Sequence, residues 1–119
     1  METKGALAAL SALAQETRLE VFRLLVRAGP TGLAAGAVAE RIGVQPATLS
    51  FHLRELERAG LLTARRESRQ IFYAPDFRGM RALLAFLTED CCGGHPEICA
   101  VPGAGGRAGR PPEAEETRP

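Results

Sequence analysis

Two helix-length segments joined by a short turn restrict the fold of this chain more than any other feature. Residues 34–42 are alanine-rich and have the composition of a helix that ends at Gly43. After Gly43-Val44-Gln45 comes Pro46, which suits the first position of a helix because its missing N–H has no partner there. We expect this second helix to run to residue 59, where Gly60 ends it. Two short helices around a glycine-containing turn predict a helix-turn-helix.

A short hairpin is predicted directly after the second helix. Residues 61–66 and 69–74 have the composition of strands, with Glu67-Ser68 between them, and Ile71-Phe72-Tyr73 is β-branched and aromatic. A recognition helix followed by a hairpin is a winged helix-turn-helix, in which the helix enters the major groove and the wing reaches along the backbone. The predicted fold class is therefore mainly α with a small β-hairpin, in a winged helix-turn-helix arrangement.

Three further helices are predicted around this unit. Residues 5–14 form a short amphipathic helix, and a capping box at Thr17-Arg18-Leu19-Glu20 begins a helix that Gly29-Pro30 ends. Asp76 caps a last helix with apolar residues at helical spacing. The apolar stripes of the first and last of these helices consist of Leu7, Leu10 and Leu13, and of Met80, Leu83, Leu84 and Leu87.

Positive charge is concentrated in the middle of the chain. The formal net charge of the 119 residues is only +1, but seven arginines and four acidic residues lie between positions 41 and 78. This local excess of positive charge suits a polyanion such as nucleic acid. The chain shows neither a secretion signal nor an apolar run near the ~20 residues that span a bilayer. We therefore expect a cytoplasmic protein with no membrane partner, whose thiols stay reduced.

The solvent face of the second helix predicts contacts with double-stranded DNA. At about 100° per residue, Ala47, Phe51 and Arg54 fall opposite the leucines of that helix. An exposed Phe51 either contacts a thymine methyl or packs under the wing or against a partner. His52 is either a partly buried structural residue or a DNA contact. The candidate DNA-binding residues are Gln45, Ala47, Thr48, Ser50, Phe51, His52 and Arg54 in the helix, and Arg65, Arg66 and Arg69 in the wing.

All three cysteines of the chain, Cys91, Cys92 and Cys99, lie within nine consecutive residues. Soft thiolates select soft ions. A Cys91–Cys92 disulfide would be strained, because adjacent Cα atoms are ~3.8 Å apart and disulfide partners usually lie about 4.4–6.8 Å apart. Structural zinc takes four ligands, so zinc or cadmium would need His95 as well. Trivalent arsenic or antimony needs only the three thiolates. A redox role for the thiols stays open.

The recognition helix carries a specific pattern, Ser50-x-His52-Leu53 followed by Leu56-x-x-x-Gly60-Leu61. From about residue 10 to residue 99, the chain resembles the ArsR/SmtB family of metalloregulatory repressors. The resemblance is carried by this pattern together with Thr17-Arg18-Leu19, Ala39-Glu40-Arg41-Ile42 and residues 65–73. The resemblance implies a homodimeric winged-helix repressor that leaves its operator when a toxic ion binds. It also implies a dimer interface formed by the first and last helices. The two apolar stripes permit this interface, or else they complete the core of the monomer.

The resemblance also bears on the position of the ion sensor. The best-known arsenic-sensing members carry cysteines in the first helix of the helix-turn-helix, where residues 34–42 have none. Other members bind zinc along the last helix through histidine and carboxylate ligands, but residues 76–90 contain no histidine. The chain resembles another arsenic-responsive branch, whose cysteines correspond to Cys91, Cys92 and Cys99. This implies As(III) as the inducer, with Sb(III) possible, and no organic cofactor.

We therefore expect three regions along the chain. Residues 1–90 form the DNA-binding and dimerisation domain, residues 91–99 bind the metalloid, and residues 100–119 have the composition of a disordered tail. One rival function is a dithiol redox or arsenate-reducing enzyme, which the lack of a phosphate-binding loop and of Cys-x-x-Cys disfavours. A second rival is a winged helix that binds proteins, which the arginines of the recognition helix and wing disfavour. The sequence thus predicts a regulator and not an enzyme.

Overall fold

The computed structural model describes residues 1–89 of the chain, and residues 90–119 lie outside the described part. Met1–Phe86 form one compact unit. The predicted fold class, a mainly helical winged helix-turn-helix, is confirmed. The described elements follow in the order α1 (Thr3–Leu13), α2 (Glu16–Ala28), β1 (Leu33–Ala34), α3 (Ala35–Ile42), α4 (Pro46–Arg58), β2 (Leu62–Glu67), β3 (Gln70–Pro75) and α5 (Phe77–Leu87).

The predicted hairpin is present, one residue further along the chain than expected. Strands β2 and β3 pair antiparallel up to the tip, where Glu67 lies opposite Gln70. The turn therefore consists of Ser68 and Arg69, and not of Glu67 and Ser68. Ser68 has a φ of 56°, in the left-handed region that two-residue hairpin turns use. Because the sequence has no Asn-Gly or Asp-Gly at this place, the pattern alone did not locate the turn.

A third strand, β1, joins the hairpin and was not predicted. The sheet has the order β1-β3-β2, and Leu33 pairs with Tyr73. Two residues are too few to show the alternation by which a strand is recognised in a sequence. The chain approaches β3 closely just before this strand, since a Cβ atom on Gly32 would collide with the carbonyl oxygen of Tyr73. This strand connects the helix-turn-helix to the wing.

The start of α2 differs from the prediction. The helix begins at Glu16, and its N-cap is Gln15, whose side-chain oxygen accepts a hydrogen bond from Arg18 N at 2.8 Å. The capping box predicted to begin at Thr17 is therefore wrong, because Thr17 lies inside the first turn. Glutamine is not among the preferred N-cap residues, so the sequence pattern favoured the threonine.

The buried face of α4 is the one that its leucines predicted. Leu49, Leu53 and Leu56 are almost completely buried, and they pack in one hydrophobic core with residues from all five described helices and from β2 and β3. Truncating a fully buried leucine to alanine costs about 2–5 kcal/mol, so the core holds α4 firmly. Because this face is fixed inward, the opposite face of the helix is held toward solvent.

The buried face of α1 consists of alanines. Ala6, Ala9 and Ala12 lie in the core, whereas Leu7 is 60% exposed and Leu10 is 39% exposed. Small side chains let the backbone of α1 approach the core closely. For Leu7 and Leu10, the alternative that the leucine stripe completes the core of the monomer is therefore wrong.

Helix α5 begins with a close contact and carries exposed leucines further along. Asp76 caps it as predicted, because its Oδ1 accepts a hydrogen bond from Gly79 N at 3.0 Å. A Cβ atom on Gly79 would collide with the carbonyl oxygen of Gly60. Leu83 is buried, but Leu84 and Leu87 are both about half-exposed. The start of the helix is thus anchored to the end of α4, and part of its apolar stripe faces outward.

Candidate nucleic-acid interface

The turn between α3 and α4 sets the direction of the recognition helix. Gly43 ends α3 with a φ of 82° in the left-handed region, and its N–H donates to Ala39 O at 2.8 Å. The N–H of Val44 donates to the same oxygen at 3.2 Å. Pro46 then occupies the first turn of α4, as predicted. A glycine at the end of one helix and a proline at the start of the next make an abrupt change of direction possible.

The outward face of α4 is made of side chains that can contact DNA. Phe51 is 49% exposed, and it is flanked by small, polar or basic residues that are also exposed. The helical positions thus confirm the predicted orientation of this face. The exposed candidates on or just before α4 are Gln45, Ala47, Thr48, Ser50, Phe51 and Arg54.

The first turn of α4 is open toward solvent. Gln45 is the N-cap residue, but its side chain makes no capping hydrogen bond. Pro46 has no N–H, and the first N–H bonded within the helix is that of Leu49, which donates to Gln45 O at 2.9 Å. The N–H groups of Ala47 and Thr48 therefore have no side-chain cap. Uncapped N–H groups at a helix N-terminus favour an anion such as a phosphate.

Phe51 lies beside an arginine of α2. The guanidinium carbon of Arg18 is 5.7 Å from the centroid of the Phe51 ring, within the range of a cation–π interaction. The ring of His52 meets the Phe51 ring edge-on at a centroid distance of 5.6 Å. One part of the Phe51 ring is therefore held by the protein, and the remainder is open to solvent.

His52 is a structural residue in this fold. Its side chain is buried, and its Nδ1 accepts a hydrogen bond from Arg18 Nε at 3.1 Å. Burial, and secondarily the charge of Arg18, lower the pKa of His52 below its usual value. Of the two roles that the sequence left open for His52, the structure favours the structural one, because the imidazole is buried and has a hydrogen-bond partner inside the protein.

Arg18 is the residue that sequence reasoning missed. It was quoted only as part of Thr17-Arg18-Leu19, and nothing in a linear pattern connects it with His52, which lies 34 positions away. Two features of the sequence could have pointed to the contact between Arg18 and His52. One was an arginine in the first turn of a helix, and the other was a histidine predicted to lie near the inward face of α4. Only the packing of α2 against α4 joins them.

The three arginines of the wing differ in their surroundings. Arg65 Nε is 2.6 Å from Glu67 Oε2, and Arg65 Nη1 donates to Thr31 O at 3.1 Å. Its guanidinium also lies 4.9 Å from the centroid of the Phe72 ring. The structure therefore gives Arg65, predicted as a phosphate contact, a set of partners inside the protein. Two other wing arginines are exposed, and their side chains have no hydrogen bond or ion pair to any residue of the described part: Arg66 and Arg69.

The predicted thiol site, Cys91, Cys92 and Cys99, lies outside the described residues. Within residues 1–89, no group of three histidine, cysteine or carboxylate side chains is arranged to hold a metal ion. Among the helices of the same residues, none combines the length and the hydrophobicity that crossing a membrane takes. The candidate site of the described part is therefore argued from the exposed face of α4 together with the wing.

Comparison with known proteins identifies the family. A sequence profile described as a helix-turn-helix domain matches residues 13–65. The chain is 30% identical over 83 residues to the transcriptional activator HlyU of Vibrio cholerae, and the alignment covers 70% of this chain and 74% of HlyU. The chain belongs to the ArsR/HlyU family of transcriptional regulators. Its relatives are winged helix-turn-helix regulators and not enzymes, in agreement with the prediction.

Solved structures resemble this regulator over most of its described part. One is the homodimeric winged helix-turn-helix DNA-binding domain of a possible ArsR-family transcriptional regulator from Mycobacterium bovis. It has a TM-score of 0.60 and 28% identity, covering 77% of this chain and 85% of that one. Another is the reduced form of HlyU from Vibrio cholerae, with a TM-score of 0.57 and 28% identity, covering 76% of this chain and 92% of that one.

Proposed function

We propose that this regulator is a homodimeric repressor that acts in the cytoplasm and leaves its operator DNA when As(III) binds its cysteines. The observation that carries the DNA-binding part is the exposed, polar and basic face of α4 beside a wing with two unpaired arginines. In this arrangement α4 enters the major groove and the wing follows the phosphate backbone. The family, whose members are transcriptional regulators, supports the same function.

The side chains of this surface divide into two groups by what they recognise. Phe51 supplies an apolar contact for a thymine methyl, and Ser50 and Arg54 supply donors for base edges or phosphates. The remaining residues bind the backbone, because they are basic or lie at the open N-terminus of α4. This second group consists of Gln45, Ala47, Thr48, Arg66 and Arg69.

The dimer is proposed from the exposed leucines of α1. Leu7 and Leu10 lie on solvent in a single chain although Ala6, Ala9 and Ala12 complete the core, and burying such side chains against a second copy removes apolar area from water. The related Mycobacterium bovis domain is homodimeric. In the proposed dimer, α1 and α5 form the interface and place two copies of α4 about 34–36 Å apart, one turn of DNA.

The ion is proposed from the chemistry of the donor set. Cys91, Cys92 and Cys99 offer three soft thiolates, which suit a trivalent metalloid and exclude Mg²⁺ or Ca²⁺. These cysteines would hold As(III) or Sb(III) through their sulfur atoms, each thiol releasing its proton on binding. Zinc and cadmium are the alternative ions, and they require His95 as a fourth ligand.

The DNA-binding part is tested by selection from a random pool of double-stranded DNA, followed by gel-shift titration of the selected fragment. We expect a preferred sequence with two half-sites and an affinity that falls steeply with salt, because phosphate contacts release counterions. If no sequence is enriched, or if the affinity is insensitive to salt, the proposed DNA-binding function is wrong.

The ion-sensing part is tested by titrating the protein–DNA complex with arsenite. We expect arsenite to release wild-type protein, and we expect Cys91→Ser and Cys99→Ser to bind the same DNA but to remain bound when arsenite is added. Zinc, cadmium and a thiol oxidant are tested in parallel. Release by zinc or cadmium alone would assign a different ion to the cysteines. Release by the oxidant alone would make thiol oxidation the input, an alternative favoured by the fact that HlyU was solved in a reduced form.

A further inference from the structure

Arg18 connects three parts of the molecule through one side chain. Its Nε donates to Nδ1 of His52 in α4 at 3.1 Å, and its Nη1 donates to Ala12 O near the end of α1 at 3.5 Å. The same guanidinium faces the ring of Phe51 at 5.7 Å. Arg18 itself lies in the first turn of α2 and is half-buried. The end of α1 and the recognition helix are therefore joined by one rigid group.

Arg18 supplies a hydrogen-bond donor or a positive charge to each group that it contacts. The Nδ1 of a buried histidine requires a hydrogen-bond partner, and accepting from Arg18 Nε favours the neutral ring of His52 with its proton on Nε2. The carbonyl of Ala12 is among the last four of α1, which have no partner within the helix and favour a positive charge nearby. The planar guanidinium presents its donors in a fixed fork and stacks on aromatic rings, whereas a lysine ammonium is a point charge.

We propose that Arg18 is a positioning residue for DNA recognition, which holds Phe51 in one orientation on the surface of α4 and fixes α4 against the end of α1. This inference rests on the proposed DNA-binding function of α4. Because the guanidinium of Arg18 is held by His52, Ala12 and Phe51, we expect its effect to concern the selection of a sequence. Non-specific binding depends on phosphate contacts, whereas the Nε and Nη1 donors of Arg18 are engaged within the protein.

The first test compares two substitutions in α2, each of which removes one positive charge. Arg18→Gln removes the guanidinium group that contacts His52 and Phe51. Arg23→Gln is the control and changes an exposed arginine of the same helix. Affinities are measured by gel shift for the selected fragment and for a scrambled fragment of equal length. We expect Arg18→Gln to weaken binding to the selected fragment about 10-fold, and to weaken binding to the scrambled fragment no more than Arg23→Gln does.

The second test asks whether Arg18 acts through Phe51. Phe51→Leu and the double variant Arg18→Gln/Phe51→Leu complete a double-mutant cycle on the selected fragment. We expect the double variant to bind at least about 3-fold more tightly than the product of the two single effects predicts, because the second change removes a contact already lost. The base preference at the half-site positions that Phe51→Leu relaxes should be relaxed by Arg18→Gln as well.

Arg18→Lys keeps the charge and the aliphatic stem, and it carries the test if Arg18→Gln fails to fold by circular dichroism. We expect Arg18→Lys to keep the thermal midpoint of the wild type within a few degrees and to lose sequence preference. The inference is overturned if Arg18→Lys retains full preference, if Arg18→Gln weakens both fragments equally, or if the cycle is additive. If wild-type protein enriches no DNA sequence, the proposed DNA-binding function itself is wrong. Failure of the proposed function is thus distinguished from failure of the inference about Arg18.

Discussion

At the scale of single residues, two contacts decide how closely the helices of this regulator pack. Gly79 lies against the carbonyl oxygen of Gly60, so that the first turn of α5 approaches the end of α4 without an intervening side chain. His52 is buried at the contact between α4 and Arg18. The contact of Gly79 with Gly60 depends on the absence of a methyl group at residue 79. The contact of His52 with Arg18 depends on a neutral imidazole ring.

The contact at Gly79 predicts a large effect of one methyl group. We expect Gly79→Ala to lower the free energy of unfolding by about 1–3 kcal/mol, because the added Cβ meets backbone that must move. The control is Gly36→Ala in α3, where a Cβ meets nothing within 4 Å. There we expect no loss, or a gain of up to about 1 kcal/mol. Urea denaturation followed by circular dichroism measures both, and equal stability of Gly79→Ala and wild type would contradict the contact.

The environment of His52 predicts a dependence of stability on pH. Burial and the charge of Arg18 lower the pKa of folded His52 below 6.5. Between the lowered pKa and 6.5 the unfolded chain binds more protons than the folded one, so the free energy of unfolding rises with pH in this interval. Stability from neutral His52 is therefore complete above pH 6.5 and is lost as the pH falls through the lowered pKa.

The variant His52→Asn isolates this effect, because its Oδ1 occupies the position of Nδ1, the atom that accepts from Arg18, and does not titrate. We expect urea denaturation to show a smaller loss of stability for His52→Asn than for wild type when the pH is lowered below 6.5. Carboxylates titrate in both proteins and cancel in the comparison. An identical pH dependence would mean that His52 is not held neutral in the folded state.

At the scale of elements, the wing is a hairpin whose arginines have different tasks. Arg65 contacts Glu67, Thr31 and Phe72, and thereby ties β2 to β3 and to the loop before β1. Arg66 and Arg69 lie nearer the tip, and their side chains have no partner within the described residues. The first arginine is bound to other parts of the protein, and the side chains of the other two are exposed, as the proposed phosphate contacts require.

This division predicts opposite effects on DNA binding and on stability. We expect Arg66→Ala and Arg69→Ala each to reduce the slope of log affinity against log salt concentration by about 1, the effect of one lost phosphate contact. Arg65→Ala should leave the slope nearly unchanged and lower the free energy of unfolding by roughly 0.5–1 kcal/mol. Gel-shift titrations at several salt concentrations measure the slopes. A slope that falls only for Arg65→Ala would reverse the assignment.

At the scale of the whole molecule, the outer surface of α1 is unlike that of an ordinary surface helix. Its core face is built from alanines, and its larger apolar residues, Leu7 and Leu10, are the exposed ones. A small domain buries a limited share of its surface on its own. A second copy of the chain covering α1 would increase the fraction of the surface that is buried. The two copies of α4 would then be held at a fixed distance from each other.

The proposed dimer predicts that a charge on α1 separates the subunits without unfolding them. We expect Leu7→Glu to be folded by circular dichroism and monomeric by sedimentation, because Leu7 is exposed in a single chain. Its affinity for a two-half-site DNA fragment should fall by at least about 10-fold, since the half-sites are no longer bound together. Leu19→Glu, on the exposed surface of α2, is the control and should stay dimeric. A dimeric Leu7→Glu would place the interface elsewhere.

The sequence by itself determined the helices, the turn and the exposed face of α4. These features depend on neighbours in the chain: glycine at residue 43 and proline at residue 46 punctuate the helices, and leucines three and four positions apart mark the inward face. The wing was also visible, although its turn was misplaced by one residue, because Ser68 takes a left-handed φ without a glycine signal. Which residues of α4 and of the wing are exposed as candidates for DNA contact was therefore largely predictable.

Only the tertiary structure decided which of these residues are available. Arg18 meets His52, and Arg65 meets Thr31, each across 34 positions of the chain. The pairing of β1 with β3 and the alanine face of α1 are likewise products of packing. Periodicity reports the direction of a side chain relative to its own helix or strand, but the partner that buries it comes from another element. His52 and Arg65 were predicted among the DNA contacts for that reason, and the structure shows in addition that His52 is buried against Arg18 and that the exposed Arg65 has partners on the protein surface.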